Sequence, residues 1–172
     1  MNKNLILYFL IALIFGLLKL FYTQSGNDGV LCLLRPTNYC IEWLTNSTAI
    51  YRNESGFYHE KLNIVIEKSC SGFTFFLLCF LMSSVAILPH LKTNAQRFFL
   101  LPFALSLAYF STIFVNTSRI FIALKMRYFD LSFISKNKAV LHEAEGVFVY
   151  LSFFILLHIL IQFFIKNQPK YQ

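Results

Sequence analysis

Phe73-Thr74-Phe75-Phe76-Leu77-Leu78-Cys79-Phe80-Leu81-Met82-Ser83-Ser84-Val85-Ala86-Ile87-Leu88 runs from end to end without a charged side chain. An uninterrupted apolar run of this length leaves no face for water, so it reads as a membrane-spanning helix ended by Pro89. The whole chain agrees with that reading. With 57% hydrophobic residues, 18% aromatic and 13% charged over 172 residues, there are too few polar side chains to cover a soluble globule. The expected fold class is therefore an all-α polytopic membrane protein of about four transmembrane helices, with one exposed segment containing a β-hairpin. The formal charge of +7 comes from 15 Lys and Arg against 8 Asp and Glu. On a membrane protein such an excess points first to anionic lipid headgroups, and nucleic acid is not indicated. No Gly/Ser or Pro-rich linker and no internal repeat divides the chain, so residues 1–172 read as a single membrane-embedded domain.

Towards the N-terminus, Leu5 to Tyr22 is a second apolar run, broken only by Gly16 and Lys19. It exceeds the usual apolar region of a signal peptide, and Thr23-Gln24-Ser25 is a weak cleavage site, so it reads as an uncleaved first span with Lys19 snorkelling to the interface. Between these runs the chain turns polar, and residues 23–69 are expected to be the main water-exposed segment. Within it, Ala49 to Arg52 and Phe57 to His59 flank Asn53-Glu54-Ser55-Gly56, the pattern of a hairpin with a four-residue turn. Leu62 to Ile66 looks extended because β-branched residues dominate it. Cys32 and Cys40 form a disulfide if this segment meets an oxidising compartment, or else remain two free thiols. His59 is expected at the surface. Asn-x-Ser/Thr triplets at Asn46, Asn53 and Asn116 matter only in a glycosylating host.

Beyond Pro89, a basic loop with His90, Lys92 and Arg97 leads into a third span from Phe98, which ends in Asn116-Thr117-Ser118-Arg119. Ile120 to Phe129 carries Lys125 and Arg127 and is too short to cross, so it either lies along the interface or prolongs the third helix. Asp130 to Lys138 reads as a polar loop, and a fourth span runs from about Leu141 to Ile165, ahead of a basic tail. The spans thus fall near 5–22, 72–88, 98–117 and 141–165. His158 lies deep in the fourth, where a charge is costly, and is expected to be neutral and hydrogen-bonded within the bundle.

In a chain of four spans, the start of the second, the end of the third and the start of the fourth share one side of the membrane. Cys70, Arg119 and His142 occupy those places. Each has an ordinary reading alone: a structural cysteine, a snorkelling anchor and an interfacial helix-end residue. Together they have the makings of acyl transfer. Imidazole takes the thiol proton and returns one to the leaving amine, and arginine stabilises the thiolate or the oxyanion. Cys70 stands at the mouth of a helix, whose positive end favours thiolate, and the N–H groups of Ser71 and Gly72 are expected to belong to its unpaired first turn. Glu67, Glu143 and Glu145 lie near enough in sequence to orient His142 or Arg119, but plain interfacial charges explain them as well. No His, Cys and carboxylate spacing suggests a metal, and no cofactor is expected.

These residues resemble the exosortase/archaeosortase family, polytopic membrane enzymes with a Cys-Ser-Gly motif, a downstream Asn-x-x-Arg and a later His or Arg. Here the matching residues are Cys70-Ser71-Gly72, Asn116-Thr117-Ser118-Arg119, and His142 with Gly146 one turn on, over roughly Ile64 to Leu157. The short chain is similar to the compact exosortase K subtype. The resemblance implies a thiol protease or transpeptidase that cleaves C-terminal sorting signals of exported proteins. Cys70 would be the nucleophile, His142 the general acid/base and Arg119 the electrostatic stabiliser. The implied partners are exported proteins with a C-terminal motif, a transmembrane helix and a basic tail, together with membrane lipids. The implied location is the bacterial cytoplasmic membrane with the three residues on the outer face. Lys and Arg counting does not supply that orientation, because the short stretch from Arg119 to Lys138 is itself basic.

Two other readings fit a four-span chain. A quinone-linked thiol oxidoreductase calls for a Cys-x-x-Cys pair, which the chain lacks. A non-catalytic assembly or transport subunit needs no reactive thiol.

Overall fold

A computed structural model of the chain describes residues 3–127 and 138–167, with side chains placed over 4–126 and 146–167. In chain order the elements are α1 (Lys3–Gln24), α2 (Leu31–Thr45), β1 (Ile50–Arg52), β2 (Gly56–His59), β3 (Ile64–Ile66), α3 (Phe73–Ile87), α4 (Asn94–Arg127) and α5 (Lys138–Lys166). The fold is mostly helical with one small sheet. Among the described residues, four stretches are long and apolar enough to cross a membrane: Asn4–Gln24, Lys68–His90, Asn94–Met126 and Gly146–Lys166.

The uncharged run forms the centre. α3 packs against α1, α4 and α5, and 61% of its apolar window is buried, against 6%, 28% and 11% in the other three. A helix surrounded on most sides must be apolar nearly all round, which is why this stretch carries no charge. Phe75, Cys79 and Phe80 are buried in one cluster with Ala104 and Ala108 of α4, whose small side chains let the two helices approach. The Ser83 hydroxyl turns back onto the Cys79 carbonyl at 2.7 Å, which removes a lone donor from apolar surroundings.

α4 is one helix of 34 residues, so the first part of Ile120 to Phe129 prolongs this helix and does not form a separate one. Its only proline, Pro102, stands in the first half, and no glycine follows before Arg127. The polar Asn116-Thr117-Ser118 stays helical, with the Ser118 hydroxyl bonded to the Phe114 carbonyl at 2.9 Å. Residues 128–137, which include most of the expected polar loop, lie outside the described residues.

The polar segment holds more structure than a hairpin. The hairpin is present, with Ile50 opposite Tyr58 and Arg52 opposite Gly56, and the extended stretch supplies β3 as the third strand of an antiparallel sheet ordered β1-β2-β3. Gly56 is required there, since it has φ +85° and an added Cβ would stand 2.4 Å from the Ile66 carbonyl oxygen. The sequence reading omitted α2. It buries Leu33, Leu34, Thr37, Asn38 and Ile41 against the sheet and the bundle, so this part of the segment is not simply water-exposed. Pro36 removes the N–H that would bond the Cys32 carbonyl, and the Tyr109 hydroxyl from α4 donates to that carbonyl at 3.0 Å.

Two histidine expectations are corrected. His59 is 0% exposed and not at the surface, with Nε2 at 2.8 Å from Asn38 Oδ1 and Nδ1 at 2.9 Å from Ser47 Oγ. Burial holds its pKa below the ordinary histidine value, and the Glu42 carboxylate pulls weakly the other way. His158 instead lies exposed on the outward face of α5, with no hydrogen bond to the described residues, because the packed stripe of that helix runs through Val149, Phe153 and Leu157. Cys32 and Cys40 are both free. Eight residues apart on one helix, they are separated by about 12 Å, beyond the reach of a disulfide.

Candidate functional site

Cys70 closes a short helical turn, Lys68–Cys70, and Ser71 and Gly72 separate it from the start of α3. The turn is pinned from the end of α1 and the residues after it. Asn27 Oδ1 accepts from the Lys68 N–H at 2.7 Å, the Ser25 carbonyl accepts from Lys68 Nζ at 2.6 Å, and that ammonium stands 4.6 Å from the centre of the Tyr22 ring. Cys70 thus precedes α3 in a turn of its own. Its own N–H is bonded to the Glu67 carbonyl at 2.8 Å, and the Ser71 N–H to the Lys68 carbonyl at 3.0 Å. The expectation of a free Ser71 N–H is thus corrected; the Gly72 N–H has no partner among the described residues. Cys70 is half-buried, with its sulfur 3.7 Å from Ser69 Oγ, and Ser69 in turn donates to Glu67 Oε1 at 2.9 Å.

Gly72 joins this turn to α3 and fits for two separate reasons. Its φ of +69° lies in the left-handed region, and a Cβ there would meet Thr112 Cγ2 at 3.0 Å and Asn116 Cγ at 3.3 Å. The close approach brings Asn116, itself fully buried, onto the cysteine: Asn116 Nδ2 donates to the Cys70 carbonyl. Asn116 Oδ1 accepts from the Tyr150 hydroxyl of α5 at 2.9 Å. Tyr150 stacks on Phe75 with ring centres 5.1 Å apart, and its other neighbour is Arg119, whose guanidinium carbon is 5.3 Å from the ring centre. Arg119 also lies against Gly146, where an added Cβ would stand 3.5 Å from its Cδ and Nη1. Arg119 Nε is buried without a partner, and no acid pairs with this guanidinium among the described residues.

Cys70 and Arg119 are thus joined through Asn116 and Tyr150 at one end of the bundle. His142 lies on α5 one turn before Gly146, the turn that Arg119 touches, but its side chain is outside the described residues, as are those of Glu143 and Glu145. The sequence reading missed Tyr150 as a site residue. Its sole signal is its position four residues after Gly146, on the same helix face. A cavity of about 170 Å³ adjoins the turn, lined by Tyr22, Ser69, Gly72, Thr74, Leu78 and Tyr150 among others. It lies over the face of α3 between α1 and α5. No group of three or more His, Cys, Asp or Glu that could hold a metal ion occurs among the described residues.

This arrangement sets a cysteine at a helical turn beside a small cavity, linked through Asn116 and Tyr150 to an arginine that has no acid partner among the described residues. Such a guanidinium is available to an incoming anion or to a developing oxyanion. Comparison with protein-family models, with curated proteins and with solved structures gave no match.

Proposed function

We propose that this chain is a membrane-embedded, exosortase-like cysteine peptidase or transpeptidase that processes the C-terminal sorting signals of exported proteins. The observation that carries the reading is the bridge from the Cys70 carbonyl through the Asn116 amide to the Tyr150 hydroxyl, whose ring bears Arg119. It joins the Cys70 and Asn116-Arg119 stretches, far apart in sequence, and no acid among the described residues pairs with Arg119.

In the proposed mechanism the Cys70 thiol gives its proton to His142, and the sulfur attacks the scissile carbonyl carbon. Arg119 stabilises the oxyanion. When the tetrahedral species collapses, the C–N bond breaks, the amine leaves with the proton from His142, and the acyl group stays on sulfur as a thioester. Water or an acceptor amine then attacks that thioester and restores the thiol. The substrate is an exported protein whose own transmembrane helix and basic tail hold the scissile bond at the membrane interface. The location is the bacterial inner membrane, with Cys70 on the outer face. A thiol oxidoreductase is less well supported, since the two cysteines of the polar segment are about 12 Å apart on α2.

The test is to co-express the chain with candidate exported proteins bearing C-terminal helices, and to find by mass spectrometry which one loses its tail. A substrate that loses its tail only when Cys70 is intact supports the reading. Tail loss that persists in Cys70→Ala refutes it.

A further inference from the structure

The exposed stripe of α2 has no partner among the described residues. Leu33, Leu34, Thr37, Asn38 and Ile41 face inward, while Cys32, Arg35, Tyr39 and Trp43 form the opposite stripe at helical spacing. Trp43 is 84% exposed, Tyr39 69% and the adjacent Leu44 43%. These are large apolar groups to leave in water, and the stripe carries a cation but no acid. The sole acid of α2, Glu42, points elsewhere and accepts from the Ala49 N–H at 2.8 Å.

The depth of α2 is fixed by its contact with α4. The Cys32 carbonyl is held by the Tyr109 hydroxyl, and Tyr109 lies seven residues before Asn116, the residue that holds the Cys70 carbonyl. At 1.5 Å per residue, Tyr109 stands about 10 Å below the level of Cys70, inside the apolar part of α4. Phe110, the residue after Tyr109, is 67% exposed, so α4 presents an apolar outward surface at this depth too. The other end of α2 rises towards the sheet, where Asn38 meets His59 and Glu42 meets Ala49.

From this we infer that α2 is a partly inserted helix whose outward stripe is docked in the lipid leaflet on the Cys70 side, with its first turn among the acyl chains and Tyr39 and Trp43 in the interfacial layer. Aromatic rings with a polar edge favour that layer, and Arg35 reaches up to anionic headgroups from a shallow position in it. The Cys32 carbonyl freed by Pro36 needs a protein donor there because lipid offers none, and Tyr109 supplies it. The inference rests on the reading of the chain as a membrane protein. It adds that the polar segment is anchored to the bilayer by its own helix, which sets the height of Cys70 relative to the lipid surface.

Trp43 is the sole tryptophan, so the intact chain carries its own reporter. The purified full-length protein is reconstituted into phosphatidylcholine and phosphatidylglycerol vesicles, which are floated on a density gradient. Emission is then read in vesicles with bromines near the headgroup end of the acyl chain or deep in it. Shallow bromines are expected to remove most of the Trp43 emission, deep bromines clearly less, and aqueous iodide little. In Trp43→Phe/Tyr39→Trp the reporter moves one turn towards Cys32, and quenching should shift towards the deeper bromines. If the floated wild-type chain is quenched by iodide and by neither lipid, α2 stands in water and the inference is wrong. If it is quenched by none of the three, protein covers the stripe, a second copy included, and the inference is equally wrong. A chain that fails to float overturns the membrane reading and this inference together.

Discussion

Gly72→Ala tests the junction on which the site is built. The added methyl must take a φ of +69° and stand 3.0 Å from Thr112 Cγ2 and 3.3 Å from Asn116 Cγ. The left-handed backbone costs an L-residue about 1–2 kcal/mol, and forcing a methyl into a packed contact costs about 1–3 kcal/mol more. A total near 2–5 kcal/mol is expected, read as a loss of unfolding free energy in detergent or lipid micelles. The two parts can be separated. Thr112→Ser removes the methyl nearest the new Cβ and keeps the hydroxyl that bonds the Ala108 carbonyl at 2.7 Å. The double variant should therefore recover much of the packing part and none of the backbone part. Gly72→Ala within about 0.5 kcal/mol of wild type, the range of ordinary surface changes, would refute the reasoning, as would a double variant no better than Gly72→Ala alone.

Arg119→Lys should insert normally yet process substrate about a hundredfold more slowly or worse, since lysine lacks the planar fork of donors; Arg127→Lys, on the same basic stretch, should stay near wild type, and both are read as tail loss at equal membrane abundance. Tyr150→Phe keeps the ring beneath Arg119 but deletes the hydroxyl that holds Asn116 Oδ1, so it should cost about 1–3 kcal/mol of stability and lower the processing rate without lowering substrate capture. His59 gives a pH dependence with a definite sign. Because its folded pKa is below the unfolded value of about 6.5, its contribution to stability is complete above that value and is lost as pH falls through the folded pKa. Unfolding of the sheet followed by amide exchange should accelerate on acidification, and His59→Gln should flatten that response.

The four helices long and apolar enough to cross a membrane were legible because length and apolarity are sums over a window, which no tertiary contact alters. The meeting of Cys70 with the Asn116-Arg119 stretch was legible for a different reason, since the up-and-down alternation of successive long helices fixes which helix ends share a side. α2 was hidden because its polar residues answer to partners far along the chain. Asn38 serves His59 and Glu42 serves Ala49, while Pro36 is tolerated because Tyr109 takes over the Cys32 carbonyl. His59 was misread for the same reason: its partners, Asn38 and Ser47, are 21 and 12 residues away. His158 failed the opposite way. Its placement depends on which stripe of α5 is packed, and a helix apolar on all sides does not reveal that. Tyr150 was invisible as a site residue, since its hydroxyl partner lies 34 residues earlier.

The central claim is that Cys70 acts as a nucleophile and not as a packing residue, and its neighbour in α3 supplies the control. Cys79 is fully buried in the core, whereas Cys70 is half-buried at the turn before the helix. The decisive measurement is tail loss from a co-expressed substrate, read by mass spectrometry in Cys70→Ala and Cys79→Ala at matched membrane abundance. The account predicts no processing in Cys70→Ala and near wild-type processing in Cys79→Ala. Processing that survives in Cys70→Ala, or falls equally in both, would contradict it.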